Sequence, residues 1–186
     1  MEQASLREPE TYTIQLSLGN LEMEMEEFKA AKRSYREAEG LNPFGLAGTN
    51  GLARALLRQN KLEEAGVEYQ KLADMNELDT LGFYNLGRIQ VRIGEPREGV
   101  RNINRSIQRA ERELQTIDDE ALRQSQIDLM ESMKLAAADG HVVLGQYNRA
   151  YQVVSESASS QAPALLKLIS TDPEGYRASV IDSDIY

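Results

Sequence analysis

Cysteine is absent from the 186 residues, and histidine occurs once, at His141. Without thiols there is no disulfide scaffold, thiolate zinc site, iron–sulfur cluster or cysteine nucleophile, and one imidazole cannot build a His-rich metal site. Aromatic residues are 6% of the chain and proline fills five positions, so strands have little to build with. No run approaches the roughly 18 consecutive apolar residues of a membrane-spanning helix, and the opening MEQASLREPE is polar where a secretory leader is apolar. The patterns GxxxxGK[ST], GxSxG and HExxH do not occur, so neither an enzyme nor a bound cofactor or metal is expected. Basic residues are also outnumbered: 21 Lys plus Arg against 30 Asp plus Glu leave a formal charge of −9 and a pI near 4.8. That balance argues against a broad nucleic-acid footprint.

What is present is helix-forming. Glu, Leu, Ala, Arg and Gln dominate. Long periodic segments alternate with short breaks such as LGN, GLNPFG, RQNKLEE and RIGEPRE. The breaks and landmarks recur every 34 residues: Leu18-Gly19, Leu52-Ala53 and Leu86-Gly87; Ala31, Ala65 and Gly99; Tyr35, Tyr69 and Ile103; Ala38, Leu72 and Ser106. Small residues at fixed steps let two helices cross closely while large ones fill the groove beside them. Such a helix pair cannot bury its apolar face alone, so successive pairs stack into one continuous core. Gly145-Gln146-Tyr147-Asn148-Arg149-Ala150 repeats the turn of Gly94, but 51 residues later, one period with 17 residues inserted.

These landmarks, with Glu26 to Phe28, Pro43, Asn60 to Ala65, Phe83 to Gly87 and Gly94-Glu95-Pro96, resemble the tetratricopeptide repeat (TPR) family. The resemblance implies an all-α, TPR-like superhelical solenoid of antiparallel helix pairs, about four repeats with a C-terminal capping helix. The repeats are expected over about 12-45, 46-79, 80-113 and 131-164, within a helical domain spanning 1-170. The insertion predicts an extended helical hairpin over about 107-134, because the residues around Thr116-Ile117-Asp118-Asp119 lack Gly and Pro. Thr116 or Asp118 would cap its second helix. Pro163 would open the capping helix after the Ser-rich SESASSQA, and 171-186 reads as an acidic C-terminal tail, part disordered or docked.

In the resembled family the first helix of each pair lines a concave groove that holds partner segments, mostly extended peptides. That register places Leu16, Asn20 and Met23, then Asn50, Arg54 and Arg58, then Leu81, Tyr84, Asn85, Arg88 and Arg92, then Leu135 and Asp139 along the groove. Arg54 and Arg58, and again Arg88 and Arg92, are spaced i to i+4 and so share one side of a helix. Four converging arginines predict an acidic peptide or carboxylate ligand, each shielded bidentate contact being worth about 1.5 to 3 kcal/mol. The alternative is pairing with Glu63, Glu64, Glu95 or Glu98, at roughly 0 to 1 kcal/mol each. The carboxylate clamp of chaperone-binding members is disfavoured: Asn20 fits it, but Leu16, Gly51, Leu81 and Asn85 do not. His141 is read as structural, and Asp118-Asp119-Glu120 as a helix start stabilised by the helix dipole.

The functional expectation is a non-enzymatic protein–protein interaction module, an adaptor or assembly factor. Two alternatives stand beside it. Small bacterial TPR lipoproteins that assemble pili or secretion machines, such as the tight-adherence type, look similar in size and layout. A self-associating structural subunit would use the hairpin or the tail, and the acidic end Asp182-Ser183-Asp184-Ile185-Tyr186 complements a basic groove as an autoinhibitor. A homo-oligomer stays open. So does the compartment: cytoplasmic, or periplasmic and lipid-anchored if a leader precedes this sequence.

Overall fold

The computed structural model describes residues 9–43, 45–183 and 185. Among these there are ten helices and no strand: α1 (Pro9–Glu24), α2 (Phe28–Leu41), α3 (Leu46–Arg58), α4 (Leu62–Asp74), α5 (Thr80–Arg92), α6 (Pro96–Leu114), α7 (Glu120–Val143), α8 (Tyr147–Ser155), α9 (Ala162–Thr171) and α10 (Pro173–Asp182). No described helix is long and apolar enough to cross a membrane. The described residues divide into two compact units, one within 9–78 together with Ile185 and the other within 79–183.

In the first unit each helix packs on the next, and α1 also touches α3, so the first helices of successive pairs form one layer. Tyr35 of α2 shows why the repeat needs small residues at its crossings. Its ring is 1% exposed, and a Cβ at Gly19 of α1 or Gly51 of α3 would lie 2.7 or 2.3 Å from it. The two glycines are the walls of the slot that the ring fills. On the opposite layer α2 and α4 are tied by Lys32–Glu64 at 3.4 Å and Lys71–Glu39 at 3.3 Å. Exposed pairs of this kind contribute roughly 0 to 1 kcal/mol each. α1 is apolar on two sides. Ile14, Leu18 and Leu21 form an exposed stripe that continues to Met25, at the helical spacing of 4, 3 and 4 residues.

In the second unit α5 and α6 meet backbone to backbone. A Cβ at Gly87 would lie 2.7 Å from the Gly99 carbonyl oxygen, and one at Gly99 would lie 2.6 Å from that of Gly87. At Gly140 of α7 the neighbour is a side chain instead: a Cβ there would lie 2.4 Å from the Val100 Cγ2 methyl of α6. The core gathers Tyr84, Val91, Ile103, Met130, Met133 and Val180. The first helices α5 and α7 again touch each other.

The 17 inserted residues lengthen α6 to 19 residues and α7 to 24, where α3, α4 and α5 have 13 each. The cap of α7 is neither Thr116 nor Asp118 but Asp119, whose Oδ1 accepts from the Leu122 amide at 2.9 Å. Thr116 instead donates its hydroxyl to the Glu113 carbonyl at the end of α6, at 2.8 Å. The Ser-rich break is fastened to α7 by Glu131, which accepts from Ser157 Oγ at 2.6 Å and the Ala158 amide at 2.8 Å. Beyond α9, the stretch read as a tail holds a further helix, α10, packed on α7, α9 and α5.

Candidate functional site

The sequence-predicted residues fall two ways, and each unit has its own arginine pair. In the first unit Asn20 is occupied by repeat packing, its Oδ1 accepting from the Tyr35 hydroxyl at 2.7 Å. Asn50 is half-buried on α3, and Arg54 is exposed. Arg54 lies near enough to Tyr35 for its charge to favour the phenolate, against a burial that pushes the Tyr35 hydroxyl above its ordinary value. Arg58 is turned to the α1–α2 connection. Its guanidinium carbon sits 4.6 Å from the Phe28 ring centroid, and Nη2 lies 3.6 Å from Glu26. It borders a shallow cleft of about 600 Å³ whose rim also carries Glu27, Lys29, Arg33 and Lys61. Glu26 is not among the acids Glu63, Glu64, Glu95 and Glu98 that the sequence offers as alternative partners for the arginines; it lies one repeat earlier than Asn60.

In the second unit the predicted residues come together. Tyr84 and Asn85 are buried on α5. Arg88 lies over the Tyr84 ring, 5.1 Å from its centroid, and Arg92 donates through Nη1 to the Arg88 carbonyl at 3.3 Å. Facing them from α7 is Asp139, half-buried, with the hydroxyl of Tyr176 of α10 donating to its Oδ1 at 2.5 Å. Burial pushes the Asp139 carboxyl above its ordinary value, opposed by the Tyr176 hydrogen bond and by the charges of Arg92 and Arg88. The Arg92 guanidinium is held below its usual value by burial and by Arg88, while Asp139 and Tyr84 act the other way. Burial and the Asp139 charge push the Tyr176 hydroxyl up.

The segment that the sequence offers as an acidic complement meets this site through Ser183. Arg92 Nε donates to the Ser183 carbonyl at 3.1 Å, and Nη2 reaches Ser183 Oγ at 3.2 Å. Asp182 is exposed, and Asp184 and Tyr186 lie outside the described residues. The residue missed by sequence reasoning is Tyr176, a lone tyrosine in a short polar segment whose partner is 37 residues away. Only the register position of Asp139 hinted that something would face it. His141 sits in the core near the end of α7, Nδ1 2.9 Å from Gln146 Oε1, with burial lowering its ring below the ordinary value. Among the described residues no three His, Asp or Glu are placed to hold a metal ion.

Comparison with known proteins bears on the fold. The tetratricopeptide repeat family matches residues 12–44. Among solved structures, the crystal structure of MamA protein superposes with a TM-score of 0.69 at 17% identity, covering 92% of this chain and 87% of that one. At that identity the likeness shows the fold alone, an all-helical solenoid of helix pairs. No curated protein matches the sequence.

Proposed function

We propose that this chain, whose residues 12–44 match the tetratricopeptide repeat family and whose fold superposes on that of MamA protein, is a non-enzymatic protein–protein interaction module, an adaptor or assembly factor, that holds an acidic partner segment on the paired first helices α5 and α7 of its second unit. The observation that carries the reading is the arginine pair of α5. Arg88 and Arg92 stand one turn apart on the first helix of the pair, Arg88 over the Tyr84 ring, and both are partly shielded from water. Guanidinium groups desolvated in this way bind negative groups more strongly than exposed ones do. In the first unit Arg54 is exposed at the position one period earlier than Arg88 and is proposed to contact the same kind of segment.

The test is capture from native lysate by the wild-type chain beside two variants, Arg54→Ala with Arg58→Ala, and Arg88→Ala with Arg92→Ala, each checked for folding by circular dichroism. A partner retained by wild type and lost from the Arg88/Arg92 variant is the expected result. The same partners on all three proteins would remove the arginines from the binding surface.

A further inference from the structure

α10 is a short helix with a defined stop at each end. Asp172 caps its start, Oδ1 accepting from the Gly175 amide at 3.0 Å, and Pro173 occupies the first turn, where its missing amide costs nothing. At the other end Arg92 binds the carbonyl and hydroxyl of Ser183, the C-cap residue. The C-terminal end of a helix carries roughly half a negative charge on its unpaired carbonyls, and an arginine is a natural complement to it. Between the ends, Val180 is the one buried residue of α10 and Tyr176 is half-buried; Glu174, Gly175, Ala178 and Ser179 face water. Glu174 adds a hydrogen bond from the Tyr147 hydroxyl. The helix therefore rests on few anchors, yet they fall on both first helices of the unit: Tyr176 on Asp139 of α7, Ser183 on Arg92 of α5.

We propose that the first-helix layer of the second unit is a receptor for the C-terminal end of a short amphipathic helix, and that α10 is its resident occupant, exchanged for a partner's helix of the same design. This rests on the binding function proposed above and names the form of the ligand. The design is explicit: an aromatic hydroxyl to donate to Asp139, an aliphatic residue four positions later in the place of Val180, and a helix end seven positions after the aromatic for Arg92. Exchange is favoured by the cost of the closed state. Docked α10 covers Asp139 through Tyr176 and Arg92 through Ser183, two charged groups that an open groove would return to water. Once detached, a ten-residue helix does not persist alone in water, so a released α10 would not compete as a preformed ligand.

The probe is a labelled peptide of residues 171–183, amidated so that it carries no free carboxylate at its end. It is titrated by fluorescence anisotropy into the full chain and into a loosened variant, Tyr176→Ala with Val180→Ala. The loosened variant is expected to bind the peptide at least about tenfold more tightly than wild type, and adding Arg92→Ala to it should weaken binding by about tenfold, the effect of a charge-assisted contact. In the wild type, amides of α10 should exchange with solvent faster than those of α5 and α7. The proposal is overturned if the peptide binds neither protein while exchange shows α10 released in the variant, or if wild-type α10 exchanges only with global unfolding. The exchange result decides should the variant fail to fold. A groove that takes the peptide while the Arg88/Arg92 variant captures the same partners as wild type would sink the functional reading and leave this one standing; partner loss without peptide binding would do the reverse.

Discussion

Glu26, Asn60 and Gly94 occupy one position in three successive turns, 34 residues apart, with φ of 59°, 55° and 91°. In each turn the next amide reaches back five residues: Glu27 to the Glu22 carbonyl at 2.8 Å, Lys61 to Leu56 at 3.0 Å, Glu95 to Gln90 at 2.8 Å. This left-handed closure satisfies a helix-end carbonyl and aims the chain into the next helix. Glycine adopts it freely, whereas a residue with a Cβ is strained there by about 1 to 2 kcal/mol. A Cβ at Gly94 would meet nothing within 4 Å, so Gly94→Ala isolates the backbone cost, and its urea midpoint should fall by the equivalent of about 1 kcal/mol. Glu26→Gly should move the other way by several tenths of a kcal/mol, since the exposed pair it gives up with Arg58 is worth little. Equal losses in both would mean that these turns are held by contacts rather than by conformation. Gly94 was legible as a turn from its residue type. Glu26 was legible only through the period, because glutamate carries no such preference.

At the scale of the element, two long helices were readable in residues 107–134 because the segment lacks Gly and Pro, with Thr116-Ile117-Asp118-Asp119 marking where one ends and the next begins. The cap of the second was not readable. Thr116, Asp118 and Asp119 are all competent by chemistry, and the choice is made by where α6 ends: Thr116 is spent on the Glu113 carbonyl, leaving Asp119 in extended conformation to hold the Leu122 amide. Asp119→Ala should therefore cost about 1 kcal/mol and raise amide exchange in the first turn of α7, while Asp118→Ala leaves both unchanged. A larger loss in the Asp118 variant would return the cap to the neighbouring residue. α10 lies at the far end of legibility. Its anchors pair residues 37 and 91 positions apart, and no local pattern in PEGYRASVID announces them.

For the whole molecule, a charge of −9 at neutral pH says little about how stability depends on pH, because that dependence comes from groups whose proton affinity changes on folding. Two such groups sit two residues apart on α7 and pull in opposite directions. Burial holds His141 below its ordinary 6.5, helped by nearby Arg149 and opposed by Gln146, so its contribution is complete above 6.5 and is lost as pH falls through the lowered value. Burial holds Asp139 above its ordinary 3.8, so its contribution is complete below 3.8 and is lost as pH rises through the raised value. Thermal unfolding midpoints of the wild type, His141→Gln and Asp139→Asn, followed from about pH 4 to 7.5, separate the two. The wild type should lose ground to His141→Gln as the pH is lowered, and to Asp139→Asn as it is raised. Because Asp139 is enclosed by α10, the second slope should shrink in the loosened Tyr176→Ala, Val180→Ala chain, where the carboxylate regains water, while the first stays as it is. Two difference curves of the same sign would show that burial does not govern one of these groups, and an Asp139 slope unchanged by loosening would show that the carboxylate is desolvated by α5 and α7 alone.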